Sequence, residues 1–181
     1  YSDRYPKEEA YFTPGDIRRE DLTQQERQVV ADYDNATRYN DQVVDAILAR
    51  FTDRDAIAVY LSDHGEEVYD YRDFFCRSHD LPLTPEVCKY QFEIPFMIWM
   101  SDTYRRNRPD VAAQVAGALD RPFSADDLSH LLLDLAGIRC QWYDPDVGQI
   151  EFLLAGFVVH HPEVQLIVLD PAVHPVHFSA D

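Results

Sequence analysis

Asp63 and His64 stand side by side at the end of an apolar run, Ala56-Ile57-Ala58-Val59-Tyr60-Leu61-Ser62, and Gly65 follows them. A carboxylate brings a hard oxygen and an imidazole a borderline nitrogen, so the pair suits a divalent cation. Gly65 would let the backbone turn away without a Cβ clash. The same tripeptide also suits a turn that caps the next helix, its polar groups merely satisfying nearby backbone. Glu66 follows His64 by two and falls on the same side of the turn; it is a candidate for substrate contact or a carboxylate placed at a helix start. Further on, Arg77 offers a two-toothed grip on phosphate oxygens, or a surface ion pair. His79 lies fifteen residues after His64, as a site histidine or as a solvent-exposed one.

The elements that must carry these groups follow from periodicity. The β-branched, alternating run before Asp63 reads as a buried strand, and ligands of open α/β sheets gather outside the carboxyl ends of such strands. Thr23-Gln-Gln-Glu26 reads as a capping box. Val29, Tyr33, Ala36, Asn40, Val43, Val44 and Ile47 then recur at helical spacing to about Phe51, the longest helix expected. Asn35 and Asn40 in it are expected to be buried amides bonded to backbone. Residues 1–20 read as surface loop, broken by Pro6, Pro14 and Gly15. Residues 67–83 mix aromatic and charged side chains and read as an irregular loop, where binding groups are commonly presented. Phe92 to Met100 is expected to be a second core strand, with Pro95 marking an edge or a place where the ladder hydrogen bond is absent. A short helix over Pro109–Leu119 and another from Ser124, with Leu128, Leu131, Leu132 and Leu135 on one face and Gly137 as C-cap, complete the pattern. His130 beside that stripe reads as structural.

Composition bounds the function. In 181 residues, 16 basic and 33 acidic side chains give a net charge of −17, which repels a phosphate backbone and argues against nucleic acid as a partner. No apolar run approaches the roughly 20 residues of a membrane span, and no signal peptide is seen. Beyond Trp142, residues 150–159 and 164–169 are apolar runs of strand length, with His160, His161, His174 and His177 scattered around prolines. His174-Pro-Val-His177 invites a second metal site, but Pro175 opposes the helix that would align the two imidazoles.

The string Tyr60-Leu-Ser-Asp-His-Gly-Glu66 resembles the signature of the alkaline phosphatase superfamily, in the branch of sulfatase-like phosphoethanolamine transferases that modify lipid A and lipopolysaccharide core sugars. Tyr1-Ser-Asp-Arg-Tyr5-Pro6 resembles that family's Arg-Tyr-Pro segment, Tyr33-Asp-Asn35 through Asp41 its tyrosine-aspartate-asparagine helix, Ile94-Pro-Phe-Met-Ile-Trp99 its next core strand, and Asp126-Asp-Leu-Ser-His-Leu131 a later helix. These stretches occur in the family's order across residues 1–145.

The resemblance implies an α/β fold, part of an alkaline-phosphatase-like sandwich with a mainly parallel central sheet flanked by helices. Residues 1–145 would be the C-terminal portion of the catalytic domain and 146–181 a divergent tail with extra strands. Asp63 and His64 would ligate zinc, of which the intact enzyme holds one or two ions; His79 would act at the phosphate or a second zinc; Glu66 and Arg77 would touch substrate. The reaction implied is transfer of phosphoethanolamine from a phospholipid donor to a lipopolysaccharide sugar or lipid A by two in-line displacements. The nucleophilic threonine, the first metal carboxylate and the membrane helices would lie upstream, in a parent protein of the bacterial inner membrane whose catalytic domain faces the periplasm. This chain alone would then be soluble and inactive. A sulfatase or phosphodiesterase-type hydrolase of the same superfamily, and a noncatalytic domain on the same scaffold, are the alternatives. Cys76, Cys88 and Cys140 are an odd number; in an oxidising periplasm Cys76 and Cys88 would be able to pair, and three free thiols are equally compatible with the sequence.

Overall fold

The computed structural model describes residues 1–78, 82–119 and 123–143, together with the backbone of 166–167. In chain order the elements are α1 (Gln24–Leu48), β1 (Ile57–Leu61), β2 (Glu67–Val68), β3 (Phe75–Cys76), α2 (Pro85–Phe92), β4 (Phe96–Met100), α3 (Asp102–Asn107), α4 (Pro109–Ala116), α5 (Leu128–Leu135) and β5 (Leu166–Ile167). They divide into two compact units, one made of Tyr1–Arg50 with Glu66–Gln91 and the other of Phe51–Gly65 with the chain from Phe92 onward.

In the second unit, β4 is Phe-Met-Ile-Trp-Met and every one of its side chains is buried. A strand covered on both faces needs such an unbroken apolar run. β1 pairs with it antiparallel, Ile57 opposite Met100 through Leu61 opposite Phe96, and β5 pairs with its other side in parallel. Because side chains alternate, Ile57, Val59 and Leu61 share the face of β1 that packs on the core of Phe96, Ile98, Tyr104, Val115, Leu131 and Leu135. Each such side chain is worth about 1.5–3 kcal/mol when fully buried.

Ser101 fastens the start of β1 to the end of β4. Its hydroxyl donates to the Arg54 carbonyl (2.6 Å) and accepts from Ala56 N (3.2 Å) and Tyr104 N (3.1 Å), so one side chain closes the strand pair and caps α3. Tyr104 then donates its hydroxyl to the Leu135 carbonyl at 2.9 Å, satisfying one of the orphan acceptors at the end of α5. That helix stops at Gly137, φ +68°, where Gly137 N bonds Asp134 O and Ile138 N bonds Leu133 O. This is a Schellman ending, and it needs the left-handed backbone that glycine adopts freely.

In the first unit, α1 runs 25 residues and opens with the expected capping box: Thr23 N donates to Glu26 Oε2 (2.6 Å) while Glu26 N donates to Thr23 Oγ1 (3.3 Å). Its buried positions are Ala31, Asn35 and Leu48. The segment before it is pinned down by Asn35, whose Oδ1 accepts from Tyr11 N (2.7 Å) and Phe12 N (2.8 Å) and whose amide donates to Phe12 O (2.9 Å). Residues 1–20 are therefore irregular, as their prolines require, but not loose. A small core of Leu22, Val68 and Tyr69, with Val29, Val30 and Tyr33 against it, joins α1 to β2.

Helices and strands are mixed, as an α/β fold requires; in the described sheet β1 and β4 are antiparallel, and β4 and β5 parallel. Three expectations are corrected. Strand β4 begins at Phe96 rather than Phe92, because Phe92 closes α2; β4 is the middle of the three described strands, so Pro95 marks no edge and sits where the ladder hydrogen bond is absent, the second of the two readings. Residues 67–83 contain a hairpin, β2 against β3. The apolar stripe of α1 fails beyond its middle: Asn40 is exposed, as are Val43 and Ile47, so burial tracks Ala31 and Asn35 instead.

Candidate metal centre

Strand β1 ends at Leu61, and the next residue starts a turn: Ser62 Oγ donates to the His64 carbonyl at 2.8 Å. His64 Nδ1 sits 2.9 Å from the Gly65 carbonyl. A carbonyl oxygen only accepts, so Nδ1 carries the proton and Nε2 of the neutral ring keeps its lone pair. That nitrogen lies 3.6 Å from Asp63 Oδ2, with the Asp63 side chain 88% exposed and that of His64 36%. Two ligands on a tetrahedral zinc, each about 2.0–2.1 Å from the metal, stand roughly 3.3 Å apart. The pair thus presents an oxygen and a nitrogen at nearly the separation one ion spans, with the ring turned by the kind of second hydrogen bond that orients ligating histidines. The donor set fits zinc. Among the described residues no group of three or more metal-donor side chains forms; Asp63 and His64 are two donors from one turn.

Among the described residues, the non-glycine ones with left-handed backbone are Tyr69 (φ 61°) and Cys76 (φ 79°), on the hairpin. A conformation of order 1–3 kcal/mol above relaxed backbone persists only where its surroundings over-determine it. Here Tyr69 N donates to Phe74 O (2.9 Å), Arg19 Nη2 donates to Tyr69 O (2.9 Å), and the Tyr69 ring is buried.

Glu66 and Glu67 open this hairpin, and both carboxylates are engaged. Glu66 Oε1 accepts the Tyr1 hydroxyl at 2.6 Å. Burial first, and then the Glu66 carboxylate, push the Tyr1 phenol well above its ordinary range, so the hydroxyl stays protonated and is the donor. Glu67 is fully buried and accepts from Arg72 N (2.8 Å) and from the Arg72 guanidinium at Nε and Nη2. A buried carboxylate is tolerable only with such pairing. Arg77, exposed, follows β3 directly, and His79 lies outside the described residues. The tail histidines His160, His161, His174 and His177 lie outside them too, as do residues 150–159. Cys76 and Cys88, half-buried, and Cys140, exposed, are free thiols.

The structure therefore brings Asp63 and His64 together and gives Glu66 a partner that sequence reading missed. Tyr1, Glu67 and Arg72 carried no periodic signal: Tyr1 meets Glu66 across 65 positions, and the Glu67–Arg72 pair depends on the hairpin closing. Among the described residues no helix is long and apolar enough to cross a membrane.

Comparison with known proteins adds four findings. The sulfatase family model matches residues 1–138. The chain is 36% identical over 156 residues to a phosphoethanolamine transferase, EptC, of Escherichia coli O18:K1:H7 (strain RS218 / NMEC), a match covering 80% of this chain and 25% of that protein. It is 32% identical over 113 residues to a Kdo(2)-lipid A phosphoethanolamine 7''-transferase of Escherichia coli (strain K12), covering 62% of this chain and 19% of that protein. The chain spans about a quarter of the length of the first of these relatives. Among solved structures it is similar to the C-terminal periplasmic domain of EcEptC from Escherichia coli in complex with Zn, with a TM-score of 0.67 and 32% identity, covering 83% of this chain and 42% of that one.

Proposed function

This chain belongs to the sulfatase family, and on that footing we propose that it is the C-terminal part of the catalytic domain of a zinc-dependent phosphoethanolamine transferase acting on a lipopolysaccharide sugar or lipid A. The observation that carries the reading is the 3.6 Å approach of Asp63 Oδ2 and His64 Nε2 at the end of β1. It is supported by relatives named as transferases of this group and by a similar periplasmic domain whose structure contains zinc. The portion of the domain is residues 1–145, with 146–181 an additional tail. The parent polypeptide sits in the inner membrane through segments outside this chain and places the domain in the periplasm.

Asp63 and His64 hold one of the one or two zinc ions of the intact domain. When bound, the ion supplies positive charge against the phosphoryl oxygens, where negative charge builds during an in-line displacement. The Nδ1–H bond to Gly65 keeps the His64 ring in the tautomer that offers Nε2. Arg77 binds phosphoryl oxygens through its planar guanidinium, and His79 acts at the phosphate or at a second zinc. Glu66 cannot serve a phosphodiester, because like charges repel; a carboxylate in contact with this substrate takes the ammonium end of the ethanolamine headgroup. The nucleophile and the remaining metal ligands come from outside this chain. Two ligands from one turn hold zinc weakly, and the chain by itself is inactive.

The test uses the full polypeptide that carries this chain, assayed for phosphoethanolamine transfer from a phospholipid to lipid A, with zinc content measured on the same samples. Asp63→Ala and His64→Ala are expected to lower both zinc content and transfer by about 100-fold or more, the scale of a lost ligand rather than of an outer-shell partner. Full zinc and full transfer in either variant would end the proposal. Release of free phosphoethanolamine with no modified lipid would identify water as the acceptor instead.

A further inference from the structure

We propose that Tyr1 is a positioning residue for Glu66, one that fixes the direction of the carboxylate without bringing a positive charge beside it; this rests on the reading above that Glu66 meets the ammonium of the donor headgroup. The Tyr1 hydroxyl reaches Glu66 Oε1 at 2.6 Å, the length of a charge-assisted O–H···O⁻ bond. The ring that carries it is held on two sides, edge-to-face against Tyr33 with centroids 5.1 Å apart and against Phe75 at 6.5 Å. Such aromatic pairs are worth about 0.5–1.5 kcal/mol beyond their buried area.

The backbone behind that ring is fixed as well. Tyr5 donates its hydroxyl to Asp32 at 2.8 Å, the Asn35 amide holds Tyr11 and Phe12 by three hydrogen bonds, and the Arg38 guanidinium lies 4.9 Å over the Tyr11 ring while reaching the Glu9 carbonyl. Residues 1–12 are thus a strap laid on α1, and its first side chain ends at Glu66. Nothing in the packing of the strap requires a hydroxyl at Tyr1; the phenol oxygen contacts Glu66 and, at 4.0 Å, Cys76 Sγ.

The chemistry of the donor matters. A lysine or arginine here would orient Glu66 but also neutralise it, and the pair would then have little attraction for a cation. A phenol donates one hydrogen bond and adds no charge. With one carboxylate oxygen committed, the direction of the other is set, and no second cation competes with an ammonium group.

The test measures transfer kinetics in the full polypeptide with a phosphatidylethanolamine donor and with the same donor N-acetylated, which removes the ammonium charge. Tyr1→Phe deletes only the hydroxyl. The expected result is a KM for the ethanolamine donor raised about tenfold, the scale of one hydrogen bond to a charged group, with kcat and thermal stability little changed. On the N-acetylated donor wild type and variant should behave alike, and Tyr1→Phe should add nothing in a Glu66→Gln background. Asn35→Ala, which loosens the strap, should move KM in the same direction as Tyr1→Phe. An unchanged KM in Tyr1→Phe, or an equal loss on both donors together with a lower melting temperature, would overturn the positioning role. If Glu66→Gln itself leaves KM unchanged, the substrate contact assigned to Glu66 fails, a result distinct from the failure of Tyr1 alone.

Discussion

The unit built on β1 and β4 and the unit built on α1 are held by different forces. In the first, Phe96, Ile98, Val115 and Leu131 are all but completely buried, and the contacts are those of close-packed hydrocarbon and aromatic rings. In the second, the most deeply buried groups include Asn35 and Glu67, each held by several hydrogen bonds, while the apolar cluster is small. Burial of apolar area is additive and non-directional, so it suits the platform on which the Asp63–His64 turn rests. Hydrogen bonds and ion pairs are directional and costly to leave half made, so they suit a strap and a hairpin whose side chains must point one way. One region tolerates changes of shape that keep volume; the other tolerates almost none of polarity.

Truncating the centre of the apolar core is the strongest test of this contrast. Phe96→Ala should cost about 3–5 kcal/mol, against about 0.5–1.5 kcal/mol for Ile98→Val. Urea unfolding with hydrogen exchange should report the loss at amides of β1, β4 and α5; a cost below about 1 kcal/mol for Phe96→Ala would mean that packing does not hold this unit.

Next in size is the ion pair. Arg72→Ala leaves the Glu67 carboxylate buried without its partner and should lower the urea midpoint, by less than Phe96→Ala does, with exchange protection lost across β2 and β3. Glu67→Gln with Arg72→Met removes both charges and should recover most of that loss. If the double variant is no better than Arg72→Ala, the pair is not what fixes the hairpin.

The smallest expected effect is electrostatic. Burial holds the Asp34 carboxyl above its ordinary value, with the charge of Asp70 adding to the effect. The folded state therefore keeps a proton on Asp34 where the unfolded chain has released it. The associated stability is fully present below the unfolded value near pH 3.9 and is lost as pH rises through the higher folded value. Asp34→Asn removes the titration, so the variant should gain on wild type as pH is raised from about 4 to 7. Urea midpoints at the two pH values decide it, and parallel behaviour would show that Asp34 titrates alike in both states.

Local signals carried part of this structure and stopped where contacts became long-range. The capping box at Thr23 and Glu26, the glycine stop at Gly137 and the apolar run of β4 depend on residues within a few positions of one another; the structure has the first two where sequence reading expects and β4 from Phe96 to Met100, within the expected span. The α1 stripe misled because a helical period shows only that one face is apolar, not that the face is covered, and Val43 and Ile47 are exposed. The hairpin was missed because its strands are two residues each and alternate over too short a run to register.

By itself the sequence determined which residues are able to do chemistry: an acid and an imidazole adjacent after an apolar strand, a family resemblance across most of the chain, and a net charge of −17. These are properties of neighbouring side chains and of their sum. The tertiary structure decided that Asp63 Oδ2 and His64 Nε2 approach to 3.6 Å, that Glu66 is taken by Tyr1 and Glu67 by Arg72, and that Asn35 is buried while Asn40 is not. Rotamers and hydrogen-bond partners are chosen by whatever the fold brings alongside, and a partner 65 residues away leaves no mark on the residues next door.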